Sequence, residues 1–68
     1  MFDKARFRAA LILKGLKMED MAQKLGINPA TLSRKINGES DFTRLELMKI
    51  REILDLTPEQ FDAIFFAA

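Results

Sequence analysis

The chain contains no cysteine and no histidine. Together these absences remove disulfides, thiolate nucleophiles, thiol or imidazole metal sites and histidine-based acid–base catalysis. Lack of cysteine also fits a reducing compartment. No apolar run approaches the roughly 18 residues needed to span a membrane. The first residues, Met1-Phe2-Asp3-Lys4-Ala5-Arg6, offer neither a long apolar stretch nor a cleavage site, so no signal peptide is expected. The three glycines form no phosphate-cradling loop. There is no repeat, low-complexity tract or linker. The ten carboxylates lie mostly on faces expected to be solvated, so no enzyme, cofactor or metal centre is expected.

What is present is a short chain of 68 residues, 49% hydrophobic and 31% charged, enough for one core. It reads as one domain over residues 1–68. Such a chain buries only about 60% of its unfolded surface, so its stability should be modest.

The net charge of +1 hides an asymmetry. Residues 1–38 carry eight Lys/Arg and three acids, a balance of +5; residues 39–68 carry three bases and seven acids, a balance of −4. A basic half is the expected footprint of a phosphate-binding face. An ordinary scatter of solvated charges gives the same arithmetic.

Periodicity and capping supply five helices. The first runs from about Asp3 to Lys14 and is closed by Gly15, with Phe7, Ala10 and Leu11 sharing a face. In the second, about 18–25, Met18, Met21, Ala22 and Leu25 fall at i, i+3, i+4 and i+7. Glu19 and Asp20 suit its first turn, where the helix dipole favours acids. Lys17 is a poor N-cap because its side chain offers no acceptor. Gly26 ends this helix and Ile27 plugs the turn. Asn28 caps the third helix, Pro29 takes its first position, and Leu32 and Ile36 point inward before Asn37-Gly38 closes it. Thr43 and Glu46 form a capping box for a fourth helix ending near Asp55, with Leu47, Ile50 and Leu54 as its stripe. Thr57-Pro58-Glu59-Gln60 opens a fifth, in which Phe61, Ile64 and Phe65 share a face. Five helices with short loops make an all-α bundle.

Residues 18–38, MEDMAQKLGINPATLSRKING, concentrate the information. Two short helices joined by a tight turn, the second showing polar and basic groups, form a helix-turn-helix over about 18–36. The unit needs a small residue where the helices cross, glycine where φ is positive, and apolar residues that fix the crossing. Ala22, Gly26, Ile27 and Leu32 meet those needs in register.

From about Arg6 to Phe65 the chain resembles the Cro/repressor-type, or XRE-like, helix-turn-helix family of phage and bacterial regulators. The resemblance is carried by Lys14-Gly15-Leu16, by Glu19, Ala22, Leu25, Gly26 and Ile27, and by Thr31-Leu32-Ser33-Arg34 with Asn37-Gly38. Leu47, Ile50, Leu54 and Phe61 match later apolar positions. It implies a five-helix, lambda-repressor-like domain whose third helix enters the major groove of a double-stranded DNA operator, in the cytoplasm of a bacterial cell or phage-infected host. The base-contacting positions fall at Pro29, Ala30, Ser33 and Arg34. Arg34 can pair its fork with guanine O6 and N7, Ser33 can bond a base or phosphate, and Ala30 can touch a thymine methyl. Pro29 is equally explained by its place at the helix start. Phosphate contacts are expected from Lys17, Gln23, Thr31 and Lys35 and from the backbone N–H groups around Asn37 and Gly38.

The chain departs from the family in places. Lys17 and Met18 stand where many members have Ser or Thr followed by Gln. Leu11 and Ile36 stand where many have an Arg–Glu pair, and are read as a core exchange, since packed hydrophobes can replace a buried ion pair without loss. Pro29 and Ala30 leave the front of the third helix short of hydrogen-bonding groups. A second reading follows. Met18, Phe42, Phe65 and Phe66 supply apolar surface for a homodimer or for docking on a partner repressor, as an antirepressor or modulator. A membrane or a small-molecule substrate is not expected.

Overall fold

A computed structural model describes all 68 residues and contains five helices and no strand. They are α1 (Lys4–Leu13), α2 (Met18–Leu25), α3 (Pro29–Ile36), α4 (Arg44–Ile53) and α5 (Pro58–Phe65). None is long and apolar enough to cross a membrane. The first helix is one residue shorter at each end than its pattern implies, with Asp3 and Lys14 as caps outside it, and the fourth ends two residues earlier, at Ile53.

Caps set most of the starts. Asn28 Oδ1 accepts the Ala30 N–H at 2.7 Å, and Pro29 follows at the first helical position. Thr43 Oγ1 accepts from Glu46 N–H at 3.1 Å, while Glu46 Oε1 accepts from Thr43 N–H at 2.8 Å. Thr57 and Gln60 repeat that exchange at α5, at 3.1 and 2.9 Å. At α2 only half of it forms: Asp20 Oδ2 accepts the Lys17 N–H at 2.8 Å, and Lys17 returns nothing. These bonds satisfy N–H groups that a helix start leaves without partners.

The ends of α1 to α4 share one closure, a pair of hydrogen bonds running back from the two residues after the cap. At α2 the Gly26 N–H reaches Gln23 O at 3.1 Å and the Ile27 N–H reaches Ala22 O at 3.0 Å. Gly26 sits at φ +73°, a conformation that costs other residues more. At α4 the same place is held by Asp55 at φ +51°, the one non-glycine residue in that region.

The core contains Phe7, Leu11, Met21, Ala22, Leu25, Leu32, Ile36, Ile50, Leu54, Ile64 and Phe65. It draws on every helix, so α2 and α3 pack on a foundation made by the other three. α2 and α3 are packed closest, followed by α1 with α5. Leu11 and Ile36 are both buried, as the apolar exchange requires.

A second cluster closes the molecule at its ends. Phe2 lies 5.3 Å from Phe7 and 5.2 Å from Phe65 between ring centroids, and Phe42 lies 5.5 Å from Phe65. Phe2 and Phe7 flank the Asp3 cap as a hydrophobic staple. The Asp3 N–H donates to Ile64 O at 2.7 Å, and the Ala67 N–H donates to Met1 O at 2.9 Å. This cluster corrects one expectation. Phe65 is core, 9% exposed, and is not part of an open interface, because Phe2, Phe42 and Phe61 cover it.

Candidate nucleic-acid interface

α3 is the element on which the site is built. Its buried residues, Leu32 and Ile36, face the core. On the outward side Pro29, Ala30, Ser33 and Arg34 are all exposed. Their places in the sequence put them on one surface of the helix, about 3.6 residues per turn. Arg34 takes part in no ion pair; the protein has only two, Arg6–Asp3 and Lys35–Glu46. Its guanidinium is therefore not engaged by a carboxylate, and it is the one cation on that outward face. Ser33 stands beside it with a hydroxyl that donates or accepts.

The flanking groups divide. Lys17 and Gln23, at the start and in the body of α2, are exposed. Thr31 is half-buried on the flank of α3. Asn37 is exposed at the end of α3. These keep accessible polar side chains.

Three of the expected phosphate contacts need correction. Lys35 turns inward: its Nζ lies 2.6 Å from Glu46 Oε1, and the two side chains are only 9% and 11% exposed. An ammonium committed to a sheltered carboxylate is not free for a phosphate. The backbone N–H groups of Asn37 and Gly38 are also taken, by Ser33 O at 2.9 Å and Lys35 O at 3.2 Å. They close the helix instead of facing outward. Asn37 keeps its side chain for contact; Gly38 has none.

Glu46 is the residue that pattern reading placed only as a cap. It is buried, and its carboxylate has two partners: the Lys35 ammonium, which donates a hydrogen bond and faces it with a positive charge, and the Thr43 N–H. Burial pushes its carboxyl upward, but the Lys35 and Thr43 hydrogen bonds and the lysine charge outweigh burial, and the net shift is below the ordinary carboxylate value. No local signal reveals the pair, because the partners are 11 positions apart on different helices.

The aromatic surface offered for protein contact is smaller than the residue types imply. Met18 and Phe42 are half-buried against the core. Phe66 alone of that group stands open, 65% exposed. Ile12, Leu13, Leu45 and Met48 are further exposed apolar side chains, on α1 and α4. A shallow groove of about 200 Å³ between α1 and α5, lined mainly by Ala9, Ala10, Leu13, Leu56, Ala63 and Ile64, contains no carboxylate.

Among curated proteins none matches the chain. Residues 7–61 match the family described as Helix-turn-helix, a span that starts within α1, contains α2 to α4 entirely and ends within α5. With that match over most of its length, and with α2, the Gly26 turn and α3 in the arrangement just described, the chain belongs to the XRE-type, Cro/repressor-like helix-turn-helix family, a family of DNA-binding transcription regulators.

Proposed function

We propose that this protein is a sequence-specific transcription regulator of a phage or prophage, acting in the bacterial cytoplasm by occupying an operator. α3 enters the major groove. Arg34 and Ser33 read base edges, Ala30 and Pro29 pack against them, and Lys17, Gln23, Thr31 and the Asn37 side chain hold phosphates. The observation that supports this best is the outward face of α3, where an unpaired Arg34 stands beside Ser33 on a helix whose opposite side is fixed in the core.

The size of the molecule adds a constraint. Its longest dimension is 27 Å, less than the roughly 34–36 Å between successive major-groove half-sites. One copy reads one half-site, so a palindromic operator takes two. Of the residues read as a surface for docking on a partner repressor, Phe66 is exposed, Met18 and Phe42 are half-buried and Phe65 is buried.

The test is binding of a duplex selected by the protein from a random-sequence library. Arg34→Ala should weaken that duplex by about tenfold or more, the worth of a lost bidentate guanine contact. Unchanged affinity in a folded variant would remove Arg34 from the reading face.

A further inference from the structure

We propose that Glu46 is a positioning residue for DNA reading: acting through Lys35, it fixes the tilt of the C-terminal half of α3 and so the specificity of base recognition. This rests on the DNA-binding reading above. α3 packs chiefly on α2, and the Lys35–Glu46 contact is the only side-chain hydrogen bond or ion pair that joins α3 to another helix. It is short, 2.6 Å, and its acceptor is itself held. Glu46 Oε1 also accepts the Thr43 N–H at 2.8 Å, while Thr43 Oγ1 accepts from the Glu46 N–H at 3.1 Å. The carboxylate is thus locked to the first turn of α4, and the lysine hangs α3 from it.

A sheltered ion pair is weak evidence of net stabilisation. Replacing a sheltered ion pair by packed hydrophobes is often neutral or stabilising. What the pair adds is direction. The hydrophobic effect is non-directional, whereas a charge-assisted hydrogen bond fixes distance and angle at one point of the helix. Lys35 immediately follows Ser33 and Arg34, so the constraint falls where base contacts are made. Such contacts need placement within about 0.5 Å and 10–20°.

The test is the double variant Lys35→Met/Glu46→Leu, which leaves the net charge unchanged and strands neither charge. Affinity is measured at fixed salt for the duplex the wild-type protein selects from a random library and for an unrelated duplex of equal length. Residual dipolar couplings of residues 30–36 relative to α2 report helix orientation without DNA. The expected result is a thermal midpoint lowered by no more than the loss of the Glu46 cap on the Thr43 N–H accounts for, unchanged affinity for the unrelated duplex within twofold, at least a tenfold fall in the specificity ratio, and altered couplings in α3. A loss of fold would instead weaken both duplexes equally. An unchanged ratio together with unchanged couplings overturns the proposal. If the wild-type protein prefers no duplex, the DNA reading fails and the couplings alone decide: unchanged values still overturn positioning by Glu46.

Discussion

The ring of Phe2 meets the ring of Phe65 edge-on, at 5.2 Å and 64°, and joins the first residues of the chain to its last helix. Phe2 also touches Phe7 and Phe42, so one side chain seals the end of the core formed by α1, α5 and the segment before α4. A fully buried Phe→Ala change costs about 3–5 kcal/mol. Phe2 is half-buried, so Phe2→Ala should cost about 2 kcal/mol by the same reasoning. Phe66→Ala, at an exposed site, should stay within about 0.5 kcal/mol of wild type. Urea unfolding of both variants checks the contrast; equal effects would contradict it.

Asp55 holds a left-handed conformation at the end of α4, φ +51°, where the other such turns have glycine. Its carboxylate also stands near the negative end of the helix dipole. Asp55→Gly should therefore raise stability by about 0.5–1 kcal/mol. The urea midpoint should rise with no change in slope, because no core contact is altered.

Lys17 joins two opposed requirements. It is the N-cap of α2 in an extended conformation but supplies no acceptor, and it is a proposed phosphate contact. Lys17→Ser should add about 1 kcal/mol of stability through the missing cap. It should also reduce the slope of log affinity against log salt by about 0.9, the loss of one phosphate contact. The two measurements should move in opposite senses in the same protein.

Glu46 sets part of the acid sensitivity. Its folded-state value lies below the ordinary one, so below neutrality the unfolded chain takes up the proton first. The contribution is complete above the unfolded value, about pH 4.3, and is lost as pH falls from there through the lowered folded value. Glu46→Gln removes this titration, so the variant's stability should fall less steeply with acid over that window. Chemical unfolding at a series of pH values between neutral and strongly acidic measures the difference.

Much of this fold was legible because its signals are local. Asn28-Pro29, Thr43 with Glu46 and Thr57-Pro58 with Gln60 mark helix starts within four residues, and the Met21, Ala22, Leu25 stripe marks a buried face within two turns. The outward set of α3 came from the family resemblance, and its exposure agrees with the inward places of Leu32 and Ile36. What escaped pattern reading depends on distance along the chain. The Asp3 N–H meets Ile64 O across 61 positions, and nothing near Phe2 announces that Phe65 will need covering. Lys35 read as a surface cation because its partner lies on another helix. The N–H groups of Asn37 and Gly38 read as open because the closure that engages them forms only once α3 ends. Ile12 and Leu13, exposed on α1, have no account in the packing of the molecule.

The measurement that bears most directly on the central claim is an amide NMR titration of the protein with a DNA duplex, first at low and then at moderate salt. Shifts should concentrate in residues 28–38, with Lys17 and Gln23 also affected, and reverse as salt rises. Arg34→Ala should diminish them. An absence of shifts in α3 at low salt, with the protein folded, would contradict the assignment of this helix to the major groove.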